Sequence, residues 1–183
     1  MISTRVLLLP GWQNSGDGHW QTRWEQQHGF ERVLQDDWWW PRRGDWMARL
    51  EDTLLTDDRP ALLVAHSLGC HLVAAWAAHS RHGARVAAAL LVAPPDLERP
   101  DLSPQLQGWA PVIRRRLPFA STAVLSSDDP FGAADRGLAL AADWGSEPVM
   151  LAAAGHVNAD SGLGDWPEGL ALLHGLARRA GLA

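Results

Sequence analysis

The sequence predicts a three-layer α/β fold in which about six mostly parallel strands carry helices on both faces, and three observations lead there. Short apolar runs rich in valine and leucine alternate with amphipathic stretches of ten or more residues, as parallel strands buried beneath crossover helices require. Of the 183 residues, 46% are hydrophobic, enough to bury one substantial core, so residues 1–183 are read as a single domain. No internal repeat, low-complexity tract or linker interrupts the alternation, and a separate lid domain has no room.

Taken in order, the strands are expected at Arg5–Leu9, Arg32–Gln35, Ala61–Ala65, Val86–Val92, Thr122–Ser126 and Val149–Leu151. The helices are expected at Trp20–Gly29, Trp46–Leu55 with Asp45 as cap, Leu68–His79, Phe131–Asp143 and Trp166–Arg179. The proline-rich segment from Pro94 to Pro118 has no clean periodicity and reads as an irregular connection with one short helix, placed to overhang a site.

Composition removes several chemistries. The net charge of −5 is scattered, with no basic stripe to neutralise phosphates, so nucleic acid is not an expected partner. All basic residues are arginine and tyrosine is absent, which excludes lysine Schiff bases, phosphate-loop lysines and tyrosine nucleophiles. A lone cysteine, Cys70, can build neither an internal disulfide nor a multi-thiolate zinc site. The apolar run Val6–Leu9 stops at Pro10, too short for a signal-peptide core or a membrane span, and a cytoplasmic setting without membrane attachment is expected. No metal or cofactor is expected, and a protein partner is left open.

Ala61-Leu-Leu-Val-Ala-His-Ser67-Leu-Gly-Cys runs a buried-strand pattern directly into a serine, a glycine two residues on, and an alanine-rich helix. In that setting it reads as a nucleophile elbow, where a tight strand-to-helix turn exposes the serine hydroxyl and demands small residues on either side. Gly69 meets the demand; Ala65 stands where a glycine is usual. The Leu68 N–H, at the start of the helix, would face a carbonyl attacked by Ser67. A second oxyanion donor is expected from Trp12 N–H in the Pro10-Gly11-Trp12 loop, although a Pro-Gly pair by itself predicts only a turn.

An elbow serine needs an acid and then a histidine at the ends of later strands. Ser126-Ser-Asp128-Asp129-Pro130 follows the fifth strand, with Asp129 preferred as the histidine's orienter because Pro130 biases it toward an extended turn, and Asp128 in reserve. The alternative is that either aspartate only caps the next helix. Ala154-Gly155-His156 follows the sixth strand, and a histidine suits removal of a serine proton near neutral pH.

With these residues in place, the chain resembles the small serine hydrolases related to retinoblastoma-binding protein nine, a minimal branch of the α/β-hydrolase superfamily. The resemblance is carried by Leu9-Pro10-Gly11-Trp12 with His19-Trp20, by Ala65-His66-Ser67-Leu68-Gly69, by Asp128-Asp129-Pro130-Phe131 and by Ala154-Gly155-His156. It implies a minimal α/β-hydrolase fold without a lid, a catalytic set of Ser67, Asp129 and His156, and cleavage of a small ester or amide-like acyl substrate without metal or cofactor. The rival from another class is a non-catalytic interaction module that keeps the fold.

Other features divide between functional and structural readings. His19, Trp20 and His66 are candidates for the substrate wall, although the structural reading is favoured for the first two, with Trp20 anchoring the first helix against the core and His19 in a hydrogen-bonding or capping role. Trp38-Trp39-Trp40 invites ligand stacking or strand-end packing, and the tryptophans together suggest an apolar acyl pocket. Cys70 reads as a small buried residue, and Arg114–Arg116 as a solvated turn. His66 and His71 lack the spacing of zinc ligands.

Overall fold

The apolar runs become the strands of one six-stranded, all-parallel sheet in the order β2-β1-β3-β4-β5-β6, in a computed structural model that describes residues 5–182. The strands are β1 (Arg5–Leu9), β2 (Glu31–Arg32), β3 (Ala61–His66), β4 (Val86–Val92), β5 (Ala120–Ser126) and β6 (Glu147–Leu151). The helices are α1 (Trp20–His28), α2 (Arg43–Leu55), α3 (Leu68–His79), α4 (Ala134–Trp144) and α5 (Pro167–Arg179).

Strand residues alternate between two cores, as the two-residue period of a strand dictates. On one face Leu7, Leu9, Leu63, Ala65 and Leu91 pack against α2, α3 and α4. On the other, Val6, Leu8, Leu62, Val64 and Leu90 pack against α1 and α5 through Trp20, Trp24, Trp166, Leu173 and Leu176. The buried tryptophans span both layers, and each of Trp20, Trp24, Trp46, Trp109 and Trp144 donates its indole N–H to a backbone carbonyl. Large apolar area is thus buried without stranding a donor.

Several element boundaries differ from expectation. β2 covers only Glu31–Arg32 rather than Arg32–Gln35: Val33 N–H adds one bond to Leu8 O, after which Leu34 points to solvent and the chain leaves the sheet. α2 starts at Arg43, so Asp45 lies inside its first turn, where a carboxylate still meets the positive end of the helix, and it is not the cap. α4 starts at Ala134 rather than Phe131, because Phe131 N–H bonds Asp129 Oδ1 and Phe131 O accepts from Asp96 N–H, which hold that stretch in the loop. The Pro94–Pro118 connection is irregular with one short 3-10 helix at Pro104–Trp109.

From β1 the chain passes outward to β2, then returns to β3 on the other side, so the strand order reverses between β1 and β3. In an open parallel sheet a crevice forms outside the carboxyl ends of the strands at such a switch point. The loop after β1 and the turn after β3 meet there. Both edges of the sheet are modest: β2 has two residues, and β6, which among the described residues pairs only with β5, contains Pro148.

Candidate active site

Ser67 sits at the junction of β3 and α3 with φ 56° and ψ −123°, a conformation that costs a non-glycine residue about 1–3 kcal/mol. The surroundings hold it there. Ser67 N–H bonds Val92 O on β4 at 2.8 Å, and α3 begins so close to β1 that a Cβ on Gly69 would lie 2.3 Å from Leu9 O. Gly11 faces the serine from the β1 loop, where a Cβ would lie 2.8 Å from Ser67 Cβ. The tightest spatial demands thus fall on Gly69 and Gly11, while Ala65, fully buried, is accommodated within the core. Gly11 serves by leaving space for the serine.

Ser67 Oγ lies 2.8 Å from His156 Nε2, and His156 Nδ1 lies 2.9 Å from both carboxylate oxygens of Asp129. A carboxylate can only accept, so Nδ1 carries the imidazole proton and Nε2 presents a lone pair to the serine hydroxyl. Both side chains are nearly out of solvent, at 9% and 4% exposure, where such bonds are strong. The sequence left Asp128 in reserve for this role, and the structure gives it another. Its Oδ1 accepts from Gly155 N–H and Ser126 Oγ, both at 2.8 Å, while Ser126 and Ser127 hydroxyls accept from Ala154 and Ala153 N–H. This latch ties the loop after β5 to the loop after β6; the Gly155 amide, ahead of Ser126, holds the Asp128 carboxyl below its ordinary pKa. Only the run of short polar residues at Ser126–Asp128 hints at it in the sequence.

Trp12 and Leu68 line the same crevice, and neither backbone N–H donates to a recorded acceptor among the described residues. Free amides at a loop and at a helix start can receive an oxygen that gains negative charge beside Ser67. The cavity in front of the serine measures about 500 Å³, within the range of small-molecule clefts. Its apolar wall comes from Leu97, Leu102 and Leu106 of the β4–β5 connection, which overhangs the site as expected, together with Trp12 and Phe131. The charged side chains at its rim are paired within the protein, Asp96 with Arg136 and Arg99 with Asp101.

Among the candidate wall residues, His19 and His66 line the cavity, whereas Trp20 does not. Trp20 is 1% exposed and donates its indole N–H to Val157 O, and His19 caps α1 by accepting from Gln21 N–H. The expected wall of tryptophans reduces to Trp12. Trp38 packs on Trp46, while Trp39 and Trp40 point outward away from the cavity. Cys70 is buried, which pushes its thiol pKa far up, and it stays an inert core residue. His66 and His71 each direct Nε2 at a carbonyl, of His156 and of Pro95. Arg114 is ion-paired with Glu98 and Asp143.

This geometry accords with the comparisons to known proteins. The chain belongs to the serine hydrolase family, whose match spans residues 6–175, and its fold is the α/β-hydrolase fold. It is similar to the structure of a YdeN-like hydrolase from Pectobacterium atrosepticum, at 26% identity and a TM-score of 0.86 over 97% of this chain and 92% of that one. The ydeN gene product of B. subtilis shares 20% identity with a TM-score of 0.73 over 95% and 98% of the two chains. An esterase from a Rhodococcus species shares the fold at 13% identity and a TM-score of 0.66, over 94% and 91%. No curated protein matches the sequence. Among the described residues no helix is long and apolar enough to cross a membrane.

Proposed function

We propose that the chain cleaves a small ester or amide-like acyl substrate through a covalent acyl-enzyme, with Ser67 as nucleophile, His156 as general base and acid, and Asp129 as the orienter of the histidine. The observation that carries this reading is the hydrogen-bonded series from Ser67 Oγ through the two nitrogens of His156 to Asp129, at 2.8 and 2.9 Å. Ser67 Oγ attacks the acyl carbon as its proton passes to His156 Nε2. The carbonyl oxygen becomes an oxyanion bonded by the Trp12 and Leu68 amides. When this tetrahedral species collapses, the bond to the leaving group breaks and His156 hands that group the proton. A water molecule then attacks the acyl-enzyme, giving its proton to His156, and a second collapse releases the acid and restores the Ser67 hydroxyl.

The apolar wall and the internally paired charges at the rim favour an uncharged acyl group, accepted as a small molecule without metal or cofactor. We assign the work to one domain acting in the cytoplasm, in keeping with its lone, buried cysteine.

The test is labelling with a fluorophosphonate probe alongside hydrolysis of p-nitrophenyl acetate. Wild type should label stoichiometrically at Ser67, and Ser67→Ala should lose labelling and at least about a thousandfold in kcat while remaining folded. Wild type that neither labels nor hydrolyses would favour a non-catalytic interaction module, and full activity in Ser67→Ala would overturn the assignment of the nucleophile.

A further inference from the structure

His156 stands on a loop that is poorly supported by its own backbone. The loop leaves β6, the edge strand, and three of its residues, Ala153, Gly155 and Val157, have φ of 49°, 56° and 48°. For a β-branched residue such as Val157 the left-handed region is a pronounced outlier, and it persists only where outside contacts impose it.

Two such contacts fall on consecutive carbonyls. His66 Nε2 bonds His156 O at 2.9 Å, and Trp20 Nε1 bonds Val157 O at 2.8 Å. A carbonyl only accepts, so both rings donate. The donors come from different elements, the end of β3 and the start of α1, and they pack on each other nearly perpendicular, at 89° with centroids 6.1 Å apart. His19 fills the corner between them, 4.6 Å from His66 and 5.2 Å from Trp20, while Trp24 and Trp166 back Trp20 from the core. All three rings of the corner are buried. Since His66 immediately precedes Ser67 in the chain, its ring is a one-residue strut from the nucleophile's strand to the backbone of the base.

We infer that His66 and Trp20 are positioning residues that clamp the His156 loop and set the Ser67 to His156 distance, with His19 as the packing spacer that holds the clamp in register. The inference rests on the reading of Ser67, His156 and Asp129 given above. It reassigns residues that the sequence offered as a substrate wall. The ionisable groups around His156 are Asp129 and His66, with His19 and Arg32 one layer behind and Asp128 on the Gly155 amide. Burial, ahead of the neighbouring histidines, holds His66 well below its ordinary pKa, and burial, ahead of Arg32, holds His19 at about 3, so the clamp stays neutral beside the base at neutral pH.

The experiment compares His66→Phe, His66→Gln and Trp20→Phe with wild type. It reads kcat and KM on p-nitrophenyl acetate, the melting temperature, and the downfield proton resonance of the His156 Nδ1–H. Trp20→Phe keeps an aromatic ring in the core and removes the N–H, so it decides the matter if His66→Phe does not fold. Each phenylalanine variant should lose about tenfold to a hundredfold in kcat, with KM within about twofold of wild type and a broadened Nδ1–H resonance. His66→Gln, which restores a donor, should recover most of the loss. Folded variants with unchanged kcat, a loss carried by KM alone, or a glutamine variant no better than phenylalanine with the resonance intact would each overturn the clamp. Wild type that fails to label with fluorophosphonate would sink the underlying triad reading, whereas normal labelling with unimpaired clamp variants would sink the clamp alone.

Discussion

Ser67 and His156, the proposed nucleophile and base, are mounted in opposite ways. Ser67 directly follows β3, a strand buried along its whole length between β1 and β4, and its turn is fixed by backbone against backbone, with Gly69 on Leu9 O and Ser67 N–H on Val92 O. His156 follows β6, a partly exposed edge strand with one neighbour, and its loop is held by side chains: Asp128, Ser126, Ser127, His66 and Trp20. Steric packing allows one arrangement and fails all at once, whereas a set of hydrogen bonds loosens one bond at a time. Damage at the serine's mount should therefore appear as lost stability. At the base's mount it should appear as lost rate.

The sharpest break is Gly69→Ala, which forces a methyl group against Leu9 O. A fixed carbonyl cannot rotate away as a side chain could, so the variant should lose about 3 kcal/mol of stability or more, read by denaturant unfolding. A loss below about 1 kcal/mol would show that the elbow can shift and that the contrast between the mounts is weaker than described.

The same contrast explains what the sequence made legible. The elbow is a local object, a buried run followed by serine and a small residue, so Ser67 and the Leu68 amide could be read from neighbouring residues alone. Asp129 and His156 were legible through their order along the chain. What tied them together was not, because the Asp128 latch and the rings of His66 and Trp20 act across sequence separations of 27, 90 and 137 residues. Trp20 at the start of a mostly polar helix looks the same whether it walls a cavity or grips a loop. The end of α2 and five of the strands were readable from apolar runs, whereas β2 and the start of α4 were decided by single bonds, at Val33 and Phe131, that no periodicity reports.

At the base's mount, Asp128→Ala removes the acceptor of the Gly155 amide and of the Ser126 hydroxyl. With His66 and Trp20 still in place, kcat on p-nitrophenyl acetate should fall by about tenfold and KM should hardly move. A fall as deep as that of Ser67→Ala would mean that Asp128, rather than Asp129, orients the histidine.

The smallest effect is in pH. His71 on α3 is held by burial at about 4, and its Nε2 donates to Pro95 O. An unfolded histidine titrates near 6.5, so below about that pH the unfolded chain binds protons that the folded chain refuses. The stability from keeping His71 neutral is complete above this range and drains as pH falls toward 4. The depressed carboxyl of Asp128 works at the other end: its contribution holds above the ordinary carboxylate pKa, about 3.9, and is lost only below it. Melting temperature should therefore begin to fall below about pH 6.5, and His71→Leu should flatten that slope in part, the remainder belonging to the buried His66 and His19. An unchanged slope in His71→Leu would place the acid sensitivity elsewhere.

Pro148 has a consequence away from the end of the sheet that carries Ser67. An open sheet ends in strands whose unpaired N–H and C=O groups can recruit a strand from another molecule. At one rim the two residues of β2 are too short a template; at the other, Pro148 takes an N–H away from β6 and Glu147 adds a charge. Both rims are thereby poor sites for edge-to-edge growth into aggregates.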